Sequence, residues 1–284
     1  DKGLAADSAK ESGWTSLMEA CQNGHEDCVR ILLERGANVN LLKGDGWSAL
    51  MVSAKGGHDG CIRLLVARGA KVDAAKSDGW TALMIAARNG HAACVRALLD
   101  RGANVNLVKD NGFSSLMAAC QTGSVHCAEQ LLIRGAEVDV MRFDNGWTAL
   151  MLASQNGHID CAKLLIKHGA RANLAKENGF TSIMAAAQNG QVEMVTMLLE
   201  RRANPSLVRK DGVSALSLAQ EHGHTMVVKL LRAHIEVDQG RYIDAFRPAV
   251  NTAAPKPGTT RKKTIEKAKA KFGGLRPVRD LTPN

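Results

Sequence analysis

The sequence of 284 residues has few aromatic residues, little proline and no long apolar segment. Aromatic residues make up 4% of the chain, and proline occurs six times. No stretch reaches the roughly 18 consecutive apolar residues that a membrane-spanning helix needs, and no signal peptide is recognisable. These absences predict a protein that has no membrane partner.

Motifs of common catalytic sites are also missing. The chain contains no G-x-x-x-x-G-K-[ST] phosphate loop, no H-E-x-x-H zinc motif and no G-x-S-x-G nucleophile turn. We therefore predict no enzymatic activity, no cofactor, no metal and no small-molecule substrate. The seven cysteines, in the absence of a secretory signal, indicate free thiols in a reducing compartment, which we take to be the cytoplasm.

Positive charge is concentrated towards the C-terminus. Residues 241–284 contain eleven Lys and Arg and three Asp and Glu, a net charge of +8. The first 240 residues contain 26 basic and 25 acidic side chains, a net charge of +1. A near-neutral body with a basic tail predicts that an acidic surface binds the tail.

A glycine, followed in six of seven cases by an aromatic residue, recurs through the chain. The interval is 33 residues, except for one interval of 34 whose extra residue lies near Arg142 to Asp144. The glycines are Gly13, Gly46, Gly79, Gly112, Gly146, Gly179 and Gly212. Methionine and cysteine rows keep the same phase. A fixed interval of this length predicts stacked structural repeats.

The third repeat indicates that each unit contains two helices. Thr81 is a suitable N-cap for a helix over residues 82–88, which Gly90 follows in a tight turn. A second helix after His91 would carry an apolar stripe and end at Gly102. The stripe consists of Cys94, Leu98 and Leu99. Because neither helix could bury its stripe alone, we predict that neighbouring repeats stack into one core.

The repeated unit resembles the ankyrin repeat. The family's T-P-L-H-x-A-A motif corresponds to Thr81–Ala87, with Ala for Pro and Met for His, and its G-H turn corresponds to Gly90-His91. Its L-L-x-x-G-A motif corresponds to Leu98–Ala103, and the resemblance extends over Gly3–His234. It implies an all-α solenoid of helix-turn-helix units with β-turn or hairpin connections. The Thr-Ala-Leu-Met variant resembles arrays found in protists.

The repeats divide the chain into three predicted parts. Residues 1–10 match the last third of a preceding repeat, so we expect further repeats upstream in the parent protein. Residues 11–235 form seven repeats, of which the last is degenerate and resembles a terminal cap. Arg202 replaces the stop glycine of the sixth repeat, where a left-handed backbone costs about 1 kcal/mol or more. Residues 236–284 form a basic extension.

Cys21, His25 and Cys28 lie close enough in sequence to suggest a metal site, but we interpret them as structural. His25 shares its turn position with histidines of four other repeats. Cys28 shares its second-helix position with four other cysteines, and we predict that this position is buried. A row of identical positions does not close a ligand set around one metal ion.

The resemblance implies that the concave surface, formed by the turns and first helices, binds partners. The residue after each repeat's first glycine would face this surface. These residues, which we call the aromatic row, are Trp14, Trp47, Trp80, Phe113, Trp147 and Phe180. The alternative interpretation is an aromatic ladder that only packs neighbouring repeats together.

Two polar rows flank the aromatic row. The first-helix row, at the ends of the first helices, consists of Gln22, Lys55, Arg88, Gln121, Gln155 and Gln188. The lysine row, three residues before the glycines, consists of Lys43, Lys76, Lys109 and Lys176. In the fifth repeat Phe143, next to Arg142, takes the lysine position. Aromatic anchors beside amide and basic groups are typical of binding hot spots, and solvated charge is the alternative for the lysine row.

The C-terminal extension contains a candidate basic helix over residues 261–272, which Gly273 would stop. Its cations are Arg261, Lys262, Lys263, Lys267, Lys269 and Lys271. A helix this short is not stable alone, so we predict that it becomes ordered on an acidic partner. A solvated tail is the alternative.

These observations predict a non-enzymatic scaffold that binds a protein on its concave face. The tail would dock on an acidic protein or a tubulin-like polymer within a larger assembly such as the cytoskeleton. One alternative is an RNA-associated protein, which the near-neutral body disfavours. Another is the recognition arm of a longer enzyme such as a kinase.

Overall fold

The structure is a computed structural model that describes Asp7 and residues 13–238, with side chains as far as Glu236. Within this part of the chain, fourteen α-helices form seven consecutive pairs, which confirms the predicted all-α solenoid fold. The helices are α1 Ser16–Gln22, α2 Glu26–Glu34, α3 Ala49–Gly56, α4 Asp59–Ala67, α5 Ala82–Arg88, α6 Ala92–Asp100, α7 Ser115–Thr122, α8 Val125–Ile133, α9 Ala149–Asn156, α10 Ile159–Lys167, α11 Ser182–Gln188, α12 Val192–Glu200, α13 Ala215–Glu221 and α14 Thr225–Asp238.

The helices lie in two layers. Each first helix packs on the first helix of the next repeat, and each second helix packs on the next second helix. One continuous apolar core runs between the layers. It includes Cys94 and Leu98, which are fully buried, and Leu99, which is 7% exposed. The predicted apolar stripe of the third repeat is therefore confirmed.

Hydroxyl side chains begin the first helices. The hydroxyl oxygen of Thr81 accepts a hydrogen bond of 3.3 Å from the backbone N–H of Met84, at the start of the helix predicted over residues 82–88. Thr15, Ser48, Ser114, Thr148 and Ser214 cap their helices in the same way. Such a cap stabilises a helix by about 1 kcal/mol. Thr181 is the exception, because its buried hydroxyl has no hydrogen-bond partner.

Two kinds of side chain join each repeat to the next. The Nε2–H groups of four histidines donate to backbone carbonyls of the preceding first helix, as His91 does to Lys55 at 3.0 Å. Acidic and amide side chains of one repeat accept from backbone N–H groups of the next, as Asp73 does from Asn104 at 3.0 Å. Asp7 accepts from Asn38 in the same register, at 2.7 Å. The turns between repeats are therefore held by hydrogen bonds as well as by the core.

A left-handed residue follows each of the first six second helices. Gly102 follows α6 with a φ of 84°, as predicted. Arg202 follows α12 with a φ of 65°, and it is the only residue other than glycine with a positive φ among the described residues. The repeat geometry therefore imposes the same left-handed backbone on Arg202, although this conformation is unfavourable for residues other than glycine.

The burial predicted for Cys28 is wrong. Cys61, Cys94, Cys127 and Cys161 are buried, but Cys28 is exposed. In later repeats this position packs against the first helix of the preceding repeat, where Cys61 contacts Cys21 and Cys161 contacts Cys120. No helix precedes α1 in the described part of the chain, so Cys28 lacks the neighbour that covers its equivalents.

The described helices contain none that is long and apolar enough to cross a membrane. The last helix, α14, has 14 residues and is longer than the other second helices, which have nine. The basic helix proposed over residues 261–272 lies outside the described residues, and so do residues 1–10 apart from Asp7. The predicted domain boundaries stay predictions.

Candidate aromatic and cationic interface

Hairpin hydrogen bonds fix the lysine row relative to the aromatic row of the same repeat. The backbone N–H of Lys43 donates to the carbonyl of Trp47 at 2.9 Å. Lys76 and Trp80 are joined at the same distance. The backbone of each lysine therefore lies directly opposite the aromatic residue of the same repeat.

The lysine side chains reach back to the aromatic ring of the preceding repeat. The Lys76 ammonium lies 4.8 Å from the centre of the Trp47 ring, and that of Lys109 lies 4.9 Å from Trp80. Lys43 lies 5.7 Å from Trp14, at the outer limit of a cation–π contact. The lysine row thus links successive repeats. The sequence alone did not reveal this structural role.

Glycine is required where these hairpins approach each other. Gly46 has a φ of 87°, and a Cβ placed on it would lie 3.0 Å from the Cα of Lys76. Only glycine adopts this left-handed backbone easily and leaves room for the Lys76 backbone, so Gly46 allows the hairpin of Lys76 to lie close to the second repeat. This approach places the Lys76 ammonium on the Trp47 ring.

The aromatic row is divided into accessible and buried members. The four tryptophans are partly exposed, whereas Phe113 and Phe180 are each 6% exposed. Phe113 packs on Trp80 with ring centres 5.6 Å apart, and Phe180 packs on Trp147 at 5.8 Å. The two phenylalanines therefore serve the predicted ladder, and the tryptophans retain surface that a partner can reach.

The first-helix row adds a second cation in two repeats. Lys55 lies 5.5 Å from the Trp47 ring, and the Arg88 guanidinium lies 5.2 Å from the Trp80 ring. Both side chains are exposed, as are Gln22 and Gln121. Gln155 and Gln188 are half-buried. Trp47 and Trp80 therefore each contact two cations.

The fifth repeat replaces lysine by Arg142. Its backbone N–H donates to the carbonyl of Trp147 at 2.9 Å, and its guanidinium lies 5.6 Å from the Phe113 ring. Counting three residues back from the glycine selects Phe143, which is 73% exposed. The single inserted residue shifts the count, so the 34-residue interval was the signal that could have identified Arg142.

Lys176 is the member of the lysine row whose pKa departs from its ordinary value. Burial lowers its pKa below the ordinary value, and the neighbouring Arg209 and Arg142 lower it further. A hydrogen bond from Arg142 lowers the pKa of Asp144. Positive side chains therefore cluster around Trp147 as well as around the earlier tryptophans.

Two open pockets lie along the tryptophans of the first three repeats. The first lies between Trp14 and Trp47, and the second lies between Trp47 and Trp80; each has a volume of about 360 Å³. Lys43 and Lys76, at the pocket edges, are paired with Asp45 and Asp78 at 3.7 and 3.6 Å. Ion pairs with an exposed carboxylate, as Asp45 and Asp78 have, contribute little stability, so the two partly exposed lysines remain available to other anions.

The described side chains bear on metal binding and on thiol reactivity. No group of three His, Cys, Asp or Glu side chains is placed there to hold a metal ion. Burial raises the pKa of Cys94 to about 12 and that of Cys127 to about 11, which keeps both thiols protonated at neutral pH. The six tail cations predicted to dock on an acidic surface lie outside the described residues.

The stacked pairs, the hairpins and the glycine register agree with the comparison against known families. A family model described as ankyrin repeats (3 copies) matches residues 2–76, 73–142 and 116–209. The chain belongs to the ankyrin repeat family. Ankyrin repeats are general protein–protein interaction modules.

Solved ankyrin repeat domains have the same fold. The human ASB11 ankyrin repeat domain is 31% identical, with a TM-score of 0.69, over 78% of this chain and 97% of that one. The ankyrin repeat domain of Bcl-3, a member of the IkappaB protein family, is 26% identical, with a TM-score of 0.67, over 78% of this chain and all of that one. A search of curated proteins found no significant match.

Proposed function

We propose that this ankyrin repeat chain is a non-enzymatic scaffold that binds a protein partner through its aromatic, first-helix and lysine rows. The observation that supports this best is the set of four partly exposed tryptophans bordered by cations. Buried packing alone does not require tryptophan at an accessible position, and Trp and Arg are enriched at interface hot spots. The concave face of the repeats is the surface that we assign to the partner.

The basic extension would supply a second contact. Its net charge of +8 favours docking on an acidic protein or a tubulin-like polymer. Two contacts on one chain raise the overall affinity through effective concentration, without any new interaction. The scaffold would then hold one protein on its repeats while the tail attaches to a larger assembly.

Trp80→Ala tests the surface of the repeats. Trp80 borders a pocket and contacts both Arg88 and Lys109, so we expect partner binding to weaken by about 2 kcal/mol, roughly 30-fold in Kd. The partner is first captured from a cell extract with the full chain and identified, and its Kd is then measured by calorimetry.

Ile133→Ala is the matched control, because Ile133 is a large apolar side chain, 68% exposed on α8 and outside the aromatic row. It should leave the Kd unchanged. Unchanged binding by Trp80→Ala, with lower stability alone, would assign the aromatic row to the ladder and contradict the proposed surface.

A further inference from the structure

The two tryptophan pockets are one site that occurs twice. Each is lined by two tryptophans, a lysine of the lysine row, a cation of the first-helix row and a β-branched side chain. The first contains Trp14, Trp47, Lys43, Lys55 and Val52. The second contains Trp47, Trp80, Lys76, Arg88 and Ile85, each 33 residues further along the chain. A ligand can therefore make the same set of contacts in successive repeats.

Both pockets have an excess of positive charge. Lys55 lines both of them, and neither Lys55 nor Arg88 has an ion pair among the described residues, although each is exposed. The acidic side chain that lines the second pocket is Asp78, opposite Lys55, Lys76 and Arg88. Charge complementarity thus favours an anionic ligand.

The cations are held in place before any ligand arrives. Lys55 and Lys76 both lie within 5.5 Å of the Trp47 ring centre, and Arg88 and Lys109 lie within 5.2 Å of that of Trp80. Contact with a ring restrains a long side chain, so less conformational entropy is lost when the side chain binds an anion. A carboxylate would therefore meet donors that are already oriented.

The spacing of the pockets constrains the shape of the ligand. The first helices of successive repeats pack side by side, and packed helices lie about 8–10 Å apart. An extended peptide in the polyproline II conformation advances about 3.1 Å per residue and presents every third side chain on the same face, so equivalent points on neighbouring repeats are about three residues apart. Side chains three positions apart along such a segment fit the two pockets.

The later repeats lack this combination. Gln121, Gln155 and Gln188 replace the cations of Lys55 and Arg88. The fourth and sixth repeats carry buried phenylalanine in the aromatic row. Repeats four to six therefore contain no further anion site of this composition among the described residues. The two cations on each tryptophan ring distinguish repeats two and three from the packing that all repeats share.

We propose that repeats one to three bind an extended acidic segment of the partner protein, with Asp or Glu at positions i and i+3 occupying the two pockets. This inference rests on the proposed function and specifies the chemistry of the partner. The chain's own C-terminal tail does not fit, because residues 241–284 carry eleven basic and three acidic side chains.

The test uses the full chain and labelled peptides. One peptide of about 12 Ser and Ala residues, the spaced peptide, carries Glu at every third position. Its isomer carries the same number of Glu residues at alternate positions, so that no two lie three apart, and a third peptide carries Leu in place of Glu. Fluorescence anisotropy gives the Kd of each. We expect the spaced acidic peptide to bind about tenfold more tightly than its isomer, since the isomer places one carboxylate fewer in a pocket.

Lys55→Gln with Arg88→Gln removes the two unpaired cations and introduces the residue that repeats four to six carry at this position. We expect this double variant to weaken binding of the spaced peptide about 30-fold, because two charge-assisted contacts are lost. Lys163→Gln with Lys167→Gln removes equal charge from exposed positions of α10 and should leave binding unchanged.

Four results would overturn the inference: no binding of the spaced peptide at millimolar concentration, equal affinity for the two isomers, unchanged binding by the Lys55 and Arg88 variant, or tighter binding of a uridine oligonucleotide at the same residues. If instead the Leu peptide binds and Trp47→Ala abolishes that binding, the acidic partner is wrong while the proposed interaction surface stands. Far-ultraviolet circular dichroism confirms that each variant is folded.

Discussion

At the scale of single residues, the repeat geometry imposes a backbone conformation that some residues adopt only with strain. Arg202 occupies a left-handed position that glycine fills in the first five repeats. Its carbonyl still accepts a hydrogen bond from the Asn173 side chain at 3.2 Å, so the position retains its role in joining repeats. The positive φ therefore raises the conformational energy of the Arg202 backbone but leaves the hydrogen bond between repeats intact.

Arg202→Gly should stabilise the protein by about 1 kcal/mol, because glycine adopts a positive φ without the clash that an L side chain makes. Gly102→Arg is the reciprocal control. Gly102 has a φ of 84°, and nothing lies within 4 Å of a Cβ built on it, so strain alone should destabilise that variant by a similar amount. Urea unfolding measures both; an unchanged or lower stability of Arg202→Gly would contradict the strain.

The cysteines differ in exposure, because Cys28 is exposed and the other six are buried. Thiol reagents attack the thiolate form, and burial raises the pKa of Cys94 from 9.0 to about 12. At pH 8 Cys94 is therefore both inaccessible and protonated, whereas Cys28 is exposed. We expect one fast-reacting thiol per chain with a disulfide reagent at pH 8, and none in Cys28→Ser. Two or more fast thiols in the native protein would show that the core opens.

At the scale of helices, the sequence predicts best where local and repeated signals coincide. The helix α5 spans Ala82–Arg88 as predicted, because Thr81 caps it and Asn89-Gly90 end it within a few residues. Contacts between repeats were less predictable. The position of Cys28 depends on what precedes α1, and the link between Lys76 and Trp47 depends on how closely two hairpins approach.

The same limit applies to the candidate site. Its three rows were predictable from the repeat, because in-phase positions share one face. Which aromatic residues are buried was not predictable, since Phe113 is covered by Trp80 from one neighbouring repeat and Arg142 from the other. Arg142 itself was missed because the inserted residue shifts the register by one.

Leu98→Ala tests the packing of second helices in the middle of the array. Leu98 is fully buried on α6, so its truncation leaves a cavity between helices and should destabilise the protein by about 2–5 kcal/mol. Leu42→Ala is the matched control on an exposed hairpin position, where the side chain is 53% exposed and the change should stay within about 0.5 kcal/mol. Equal melting temperatures for Leu98→Ala and the parent chain would contradict the assigned core.

At the scale of the whole molecule, the packed core and the net charge lie in different parts of the sequence. The described repeats contain the continuous core, while the last 44 residues contain nearly all of the net charge. Long-range attraction to anions follows net charge, and specific recognition follows local pockets. Under the proposed function, the tail therefore supplies salt-sensitive attachment and the tryptophan pockets select the partner.

The salt dependence of polyanion binding tests this division. A tail that neutralises about seven phosphates of a uridine oligonucleotide should give a slope of log affinity against log salt near about −5, because each single-strand contact contributes about −0.7. The 1–240 chain has a net charge of +1 and should give a slope near zero. Most of the salt dependence that truncation to 1–240 removes should also be lost when six tail cations are replaced by glutamine. These are Arg261, Lys262, Lys263, Lys267, Lys269 and Lys271. A steep slope that persists in the 1–240 chain would mean that Lys55, Arg88 and the lysine row bind phosphates themselves, and the body would then act as a nucleic-acid interface.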